Sequence, residues 1–366
     1  MYPGKWTLGS LSVVVTLASI AFIGAGDAQA ATTAASEAAP RYVIRNLGRL
    51  PRGSIVIATD INDAGTVTGY MSRRGGLPET GFLYRDGVMN SLGDFGAGIS
   101  SRALSINGHG DVAGALDGRA TVFGSDGSVR DLGGALGGEY SEASSINESG
   151  MTAGTANGVV FFHDGTQSVL LKSLGSTYYA RINDAGTVLT DDSNDLILYS
   201  DGQLTRLPRL SDTSMSAGGI NNAGQVTGTA RIGIYDQSFV YSDGAYQLID
   251  VGALGNGSHA TDINDKGWVV GQLIGGSVPG SVMLYRDGQA HLLQSLLYPA
   301  AASHWNGLTP VAINNAGQIV GTGSYNGHLR SFIATPVPEP SALMLMLAGL
   351  GLVGWAAGRR RAAQPV

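Results

Sequence analysis

Short apolar runs alternate with glycine-rich polar turns through most of this chain, and one phrase recurs among them. The phrase is an Ile-Asn pair followed, three residues after the Asn, by a Gly. Asn bonds readily to its own downstream backbone and Gly accepts a positive φ, so each copy predicts a tight turn between two strands. The seven copies begin at Ile61-Asn62, Ile106-Asn107, Ile146-Asn147, Ile182-Asn183, Ile220-Asn221, Ile263-Asn264 and Ile313-Asn314.

The residues after each turn predict three further strands of the same repeat. In six of the seven copies a second Gly lies four residues after the first, with Thr190 as the exception. The first six copies then carry an apolar strand that ends in Asp-Gly, which between strands is typical of a type I′ hairpin. These pairs are Asp86-Gly87, Asp126-Gly127, Asp164-Gly165, Asp201-Gly202, Asp243-Gly244 and Asp287-Gly288.

The spacing of the copies favours a β-propeller over helical repeats. From Asn62 to Asn314 the mean period is 42 residues, which suits four-stranded propeller blades. The seventh copy stops near Ala334 without its Asp-Gly and fourth strand, whereas residues 42–48 read like a fourth strand. We therefore predict an all-β, seven-bladed propeller over residues 41–335. Closure by the N-terminal strand removes an exposed edge, and an open array is the alternative.

The repeats resemble the HAF family of predicted extracellular repeats, although the His-Ala-Phe for which that family is named is not intact. The matching positions read Thr80-Gly81-Phe82, Gln237-Ser238-Phe239 and Arg330-Ser331-Phe332, so the aromatic residue alone is kept. The resemblance implies export from the cell and no particular chemistry.

The first 30 residues predict a secretory signal peptide with a signal helix. Lys5 precedes an apolar run from Leu8 to Gly24, and the small residues before Ala30 suit cleavage by signal peptidase. A permanent N-terminal membrane anchor is the alternative, but glycines break the run. Residues 31–40 are then predicted to be a disordered spacer.

The C-terminal residues 336–366 have the pattern of a second targeting signal. Val337, Pro338, Glu339 and Pro340 precede an uncharged stretch, residues 341–358, and then Arg359, Arg360 and Arg361. The stretch is long enough for a transmembrane helix, and the Arg cluster would orient its end to the cytoplasm. This order resembles the PEP-CTERM sorting signal, which implies an exosortase as partner and an association with exopolysaccharide and biofilm. A plain membrane anchor is the alternative.

Composition narrows the classes of function. The net charge is −6 and the body has no basic stripe, which argues against nucleic acid as a partner. The chain has no cysteine, so disulfides, thiolate metal sites and a Cys nucleophile are excluded.

The variable connections predict a candidate ligand face. The Ile-Asn and Asp-Gly turns share one face of each antiparallel repeat, so the connections of variable length lie on the other, where repeat proteins commonly bind. An exposed Trp there would stack on a sugar ring, whereas loop aromatics also pack back onto their own scaffold. The candidate residues are Arg73, Arg74, Tyr235, Tyr298, His304 and Trp305.

Metal and cofactor chemistry is not indicated. The segments from Asp60 and from Asp262 resemble the start of a calcium loop, but Ala64 and Lys266 occupy the third ligand position. The six histidines show no metal-ligand spacing. We therefore predict no metal site and no cofactor.

The sequence favours a noncatalytic role, because no nucleophile elbow, phosphate-binding loop or kinase signature is present. We predict an exported cell-surface or extracellular-matrix protein that binds exopolysaccharide or other surface proteins, tethered to the inner membrane until it is sorted. A secreted polysaccharide-acting propeller enzyme, a glycosidase or lyase, is the alternative. It would need carboxylates that converge near the central channel or on the variable face, with Glu139, Glu142, Asp94 and Asp117 as candidates.

Overall fold

A computed structural model describes residues 40–48, 54–73, 77–137, 140–172, 174, 179–192, 194–210, 214–276 and 280–337. Within these ranges the chain forms seven four-stranded antiparallel sheets, which are the blades of a β-propeller. The predicted all-β, seven-bladed architecture is therefore confirmed.

Each blade is built from four consecutive strands except the last. The strands are β1 (Tyr42–Asn46), then β2 (Ser54–Ile61), β3 (Val67–Arg73), β4 (Leu77–Arg85) and β5 (Val88–Ser91) in blade 1, β6 (Ser101–Ile106), β7 (Val112–Leu116), β8 (Arg119–Phe123) and β9 (Val129–Asp131) in blade 2, and β10 (Ser141–Ile146), β11 (Thr152–Ala156), β12 (Val159–His163) and β13 (Ser168–Leu170) in blade 3.

The remaining blades follow the same order along the chain. They contain β14 (Arg181–Ile182), β15 (Val188–Asp191), β16 (Leu196–Ser200) and β17 (Gln203–Arg206) in blade 4, β18 (Met215–Ile220), β19 (Val226–Ile232), β20 (Tyr235–Ser242) and β21 (Ala245–Leu248) in blade 5, β22 (Gly257–Ile263), β23 (Val269–Ile274), β24 (Val282–Arg286) and β25 (Gln289–Leu292) in blade 6, and β26 (Trp305–Ile313), β27 (Ile319–Tyr325) and β28 (His328–Pro336) in blade 7.

Short helices occur in the connections between blades. They are α1 (Gly133–Leu136), α2 (Leu293–Leu296), α3 (Pro299–Ala302) and a 3₁₀ turn at Gly252–Leu254. Within the described ranges, no helix has both the length and the apolar character needed to cross a bilayer.

The N-terminal strand closes the ring. Strand β1 pairs antiparallel with β28, from Tyr42 opposite Pro336 to Asn46 opposite Phe332. The Val337 N–H donates one more hydrogen bond, of 2.7 Å, to the Arg41 carbonyl. Blade 7 thus takes its fourth strand from the other end of the chain, as the missing Asp-Gly in the seventh repeat predicts.

In the six repeats that have a second Gly, this Gly lies beside a bulge in the innermost strand. In six blades the pairing between the first two strands slips by one residue just before the Ile-Asn pair, for example between Ala58 and Asp60. A Cβ on Gly69 would come within 2.1 Å of the Ile57 carbonyl oxygen and 2.9 Å of the Phe82 ring. The bulge therefore requires Gly at this position.

Apolar side chains between the sheets form the core. Phe82, Phe161, Phe239 and Phe332 are fully buried at equivalent places on the third strands of their blades. Three of them are the aromatic residues that remain of the His-Ala-Phe positions. Their role in this chain is therefore packing.

The predicted signal peptide, the spacer except Pro40, and the predicted transmembrane helix with its Arg cluster lie outside the described residues. The boundaries at residues 30, 40 and 335 stay predictions.

Candidate functional site

The seven repeat asparagines form a closed ring at one mouth of the central channel. Each Asn side chain donates from Nδ2 to the backbone carbonyl of the next Asn around the propeller, over 2.9–3.2 Å. The last of these bonds runs from Asn314 back to Asn62. Because all seven side chains are buried, this ring links the blades by bonds that are shielded from water.

The same asparagines also hold their own turns. Each Oδ1 accepts the backbone N–H four residues on, over 2.8–3.0 Å. This is the local bond that the sequence pattern predicts. One amide thus closes the turn with its oxygen and joins the next blade with its nitrogen.

A second, acidic ring surrounds the first. The residue after each Asn accepts, through its side chain, the backbone N–H of the equivalent residue one blade earlier, over 2.6–2.9 Å in six places. The ring breaks at Gly108, which has no side chain to accept a bond. Its members are Asp63, Gly108, Glu148, Asp184, Asn222, Asp265 and Asn315.

Amide nitrogens bridge some of these carboxylates. The Asn315 Nδ2 donates to Asp63 over 2.9 Å and to Asp265 over 2.8 Å. The Asn222 Nδ2 bridges Asp184 and Asp265 in the same way, over 2.7 and 3.1 Å. The channel mouth is therefore rimmed by carboxylates held in fixed positions.

The residue before each Ile occupies a wall position, and six of the seven wall positions line the channel. The six are Asp60, Ser105, Ser145, Arg181, Asp262 and Ala312, and Gly219 holds the seventh position. A wall side chain that has an acceptor oxygen accepts a hydrogen bond from the Ile N–H of the next blade. The Asp60 Oδ2, for example, accepts the Ile106 N–H over 3.0 Å. The Asp262 Oδ2 accepts the Ile313 N–H over 2.9 Å. Arg181 breaks this pattern because a guanidinium has no acceptor.

The wall carboxyls have raised pKa values. Burial raises the pKa of Asp262 to about 7, the Ile313 N–H opposes the rise, and the Asp60 carboxylate adds to it. Burial also raises the pKa of Asp60, against the hydrogen bonds from Ile106 and Ser105. Both side chains keep part of their surface open to the channel, so water there lessens the effect of burial.

The rings and the wall enclose a cavity of about 410 Å³. Its lining is mostly polar, with six carboxyls, one guanidinium and the hydroxyls of Thr59, Ser105 and Ser145. Such a cavity can hold a small polar ligand, and a carboxyl with a pKa near 7 can donate or accept a proton at neutral pH.

The predicted ligand face is only partly assembled in the structure. Topology places Tyr235, Tyr298 and His304 at the end of the blades opposite the Asn ring, and all three are exposed. The backbone of Arg73 ends β3 at the same face. Arg74 lies outside the described residues. Among the described side chains, no hydrogen bond, ion pair or ring contact joins one of these residues to another, so a shared role stays a prediction.

Trp305 requires a correction, because it is not exposed. Its side chain is 7% exposed and packs against Phe332, with the ring centroids 5.7 Å apart, and against Tyr325 at 5.0 Å. The residue opens β26, so its side chain enters the core of blade 7 instead of a loop. His304 lies beside Tyr325 and bonds to Asn326 over 3.1 Å.

Of the carboxylates proposed for the enzyme alternative, Glu142, Asp94 and Asp117 do not line this cavity. Glu142 pairs with Arg102 over 2.5 Å, and Arg102 pairs in turn with Glu79 over 3.1 Å. Asp94 caps the Gly96 N–H, and Glu139 lies outside the described residues. In the described part of the chain, no group of three His, Asp or Glu side chains has the geometry of a metal site.

The sequence reasoning missed Asp60, Arg181 and Asp262 as channel residues. The available signal was the position before the Ile-Asn pair, which holds small or neutral residues in four repeats and a charge in these three. At Asp60 and Asp262 the bulge hides the signal, because a one-residue slip changes the face on which each side chain lies.

The fold and the C-terminal motif define the class of this protein as an exported β-propeller. The PEP-CTERM protein-sorting motif matches residues 336–361 and implies an exported protein that an exosortase sorts. A second family model, described as "Protein of unknown function (DUF3466)", matches residues 44–258, more than half of the chain. The chain belongs to this DUF3466 family. No curated protein matches it.

Solved structures of low identity share the propeller fold. The streptogramin B lyase structure has a TM-score of 0.56 and 8% identity, covering 81% of this chain and 98% of that chain. YCF48 from Cyanidioschyzon merolae has a TM-score of 0.52 and 13% identity, covering 80% and 98%. The propeller domain of the Trilobed protease from Pyrococcus furiosus, described as having an open velcro topology, reaches 0.50 at 11% identity, covering 80% and 98%. At these identities the likeness concerns the fold alone.

Proposed function

We propose that this chain is a noncatalytic scaffold of the cell surface or extracellular matrix, associated with exopolysaccharide or biofilm. The observation that carries the proposal is the position of the sorting motif. The motif begins at Pro336, the last residue of β28, so it follows the closed ring without a linker. After processing, the part that is released would be a complete propeller.

The surface of the propeller supports a binding role. Tyr298 is 43% exposed and Tyr235 is 39% exposed, on the face where connections vary in length. Exposed tyrosines suit stacking on sugar rings and contacts with other proteins. The likeness to HAF repeats, which also implies export, belongs to the same proposal.

The first experiment follows the fate of the chain in cells with and without an exosortase. We expect the propeller to appear at the cell surface or in the medium only when the exosortase is present, and Glu339→Ala to keep it in the membrane fraction. Glu37→Ala, in the predicted spacer, is the matched control and should sort normally. Retention of the wild-type chain in exosortase-competent cells would reduce the tail to an anchor.

The second experiment tests the scaffold role directly. The released protein should sediment with exopolysaccharide from the same cells and leave the number of reducing ends unchanged. Absence of binding to polysaccharide and to other surface proteins would reject the proposal.

One observation favours the enzyme alternative. Asp60 and Asp262 share a polar cavity, and their pKa values are raised as those of general acids often are. Release of reducing ends or unsaturated ends by the wild-type protein, lost in Asp262→Asn, would establish a glycosidase or lyase in place of a scaffold.

A further inference from the structure

The channel cavity holds unlike charges that do not neutralise each other directly. Among the described residues, no salt bridge within 4.0 Å joins Arg181 to Asp60 or Asp262, although all three line the same cavity. Arg181 donates from Nη1 to the Ser144 carbonyl over 3.3 Å and stacks on Tyr179 at 5.1 Å. A guanidinium has five N–H donors, so donors remain for a ligand.

Small residues leave room between these charges. The wall positions in the blades after Arg181 and after Asp262 are Gly219 and Ala312. A Cβ on Gly219 would lie 3.0 Å from the Asp262 Oδ1, so the glycine leaves that oxygen uncrowded. There is therefore space beside the Asp262 carboxyl, which lines the cavity.

The charge of the mouth selects for cations. Asp63, Glu148, Asp184 and Asp265 rim the entrance, and two more carboxyls lie in the wall, against Arg181 as the guanidinium of the lining. Carboxylates focused at a mouth raise the local concentration of cationic ligands and repel anions. The described residues of the lining include no aromatic side chain, so stacking on them would not hold a neutral sugar here.

From this arrangement, we propose that the channel mouth binds an amino-sugar unit. Asp60 and Asp262 would hold its ammonium group, and Arg181 would donate to its hydroxyl oxygens. The cavity volume suits one sugar unit. The inference deepens the proposed function by naming the sugar class, and it rests on a saccharide being the ligand.

The test measures binding to the purified full-length chain by calorimetry. The probes are glucosamine, N-acetylglucosamine and glucose. The nitrogen of N-acetylglucosamine is an uncharged amide, and glucose has no nitrogen. We expect glucosamine to bind at least about tenfold more tightly than either neutral sugar, because charge-assisted bonds are lost with the ammonium.

The variants locate the site. Asp60→Asn and Asp262→Asn keep a side-chain oxygen for the Ile106 and Ile313 N–H groups, so the wall can still fold. We expect each to weaken glucosamine binding at least about tenfold. Asp243→Asn, in an exposed turn where φ is 52°, is the matched control and should bind as the wild type does. Thermal unfolding of each variant monitors the fold.

Each outcome separates this inference from the proposed function. Equal binding of all three sugars, or full binding by both channel variants, would overturn the amino-sugar site. Binding of native exopolysaccharide without glucosamine binding would overturn the site and leave the scaffold role in place. Absence of binding to every saccharide would overturn the site, and the scaffold role would then depend on binding to other surface proteins.

Discussion

A single asparagine in each repeat has two structural roles, of which one is visible in the sequence. The bond from Oδ1 to the backbone four residues on is local, so the Asn and the nearby Gly predict it. The bond from Nδ2 to the next blade joins residues about 40 positions apart. It depends on ring closure, and no local pattern specifies it.

Replacing one member of the ring tests both roles together. In Asn147→Ala, the Met151 N–H and the Asn183 carbonyl each lose a buried partner. We expect the free energy of unfolding to fall by roughly 2–4 kcal/mol, measured by urea denaturation. Asn90→Ala, at an exposed position on β5, is the control and should change stability by less than about 0.5 kcal/mol. A loss equal to that of the control would mean that the ring does not stabilise the fold.

The pKa of Asp262 predicts how stability depends on pH. Its pKa is about 7 in the folded chain against an ordinary value of 3.8. The folded state therefore holds this proton more tightly, and the stability it contributes at low pH is lost as pH rises through about 7. Asp262→Asn removes the titration and keeps an acceptor for the Ile313 N–H.

We expect Asp262→Asn to gain about 1–2 kcal/mol on the wild type between about pH 4 and about pH 8, since channel water screens part of the charge. Urea denaturation across that pH range measures the difference. The control Asp243→Asn should follow the wild-type profile. If the stability of the wild type and of Asp262→Asn depended on pH in the same way, burial would not raise the pKa of the Asp262 carboxyl.

At the scale of the strand, the sequence predicts the turns and misses the bulge. The sequence pattern predicts that the second Gly of the repeat lies in a strand after the turn. The structure shows that this Gly also lies opposite a bulge in the innermost strand. The exception confirms the physical reason. Blade 4 has Thr190 at this position, and its inner strand is the two-residue β14, whose pairing with β15 stops at Leu189. A Cβ is tolerated where the strand pairing does not reach this position.

The bulge makes one glycine substitution severe. In Gly154→Ala the new Cβ would lie 2.0 Å from the Glu142 carbonyl oxygen and 2.8 Å from the Phe161 ring, so backbone must move. We expect a loss of roughly 2–4 kcal/mol, in the range of overpacked cores and broken backbone bonds. Gly134→Ala, in α1 against the end of the flexible Arg119 side chain, is the control. Equal denaturation midpoints for the two variants would contradict the bulge argument.

The length of a connection predicts the burial of an individual side chain less well than the strand pattern does. The sequence predicts that Trp305 lies in a variable connection, but β26 begins at Trp305 and places that ring in the core. The local sequence does not distinguish an aromatic residue at the start of a strand from one at the tip of a loop. Its burial depends on Tyr325 in β27 and Phe332 in β28.

At the scale of the whole molecule, repetition made the architecture predictable. A period near 42 residues, four strands per copy and an incomplete last copy together specify a closed ring. The contents of its channel were not predictable, because Asp60, Arg181 and Asp262 come from blades 1, 4 and 6. They meet only after closure.

Closure also predicts how the ring fails. Strand β1 buries Tyr42 and Ile44, and Leu47 just beyond it is buried too. Deleting residues 41–48 removes these side chains and exposes the edge of β28. At about 1.5–3 kcal/mol for each buried side chain, we expect a loss of at least about 5 kcal/mol and a fall in the midpoint of thermal unfolding of at least about 10 °C. Calorimetry measures both quantities.

A deletion of equal length within the predicted spacer, residues 31–38, is the control and should leave the midpoint unchanged. Since Val337 is bonded to Arg41, the residue before the Pro-Glu-Pro is held by the strand that the first deletion removes. The deletion of residues 41–48 should therefore also free the start of the sorting motif, and cells with an exosortase should process this variant at a different rate from the wild type. An unchanged thermal midpoint would show that β1 does not close the ring, and an unchanged processing rate would show that closure and sorting are independent.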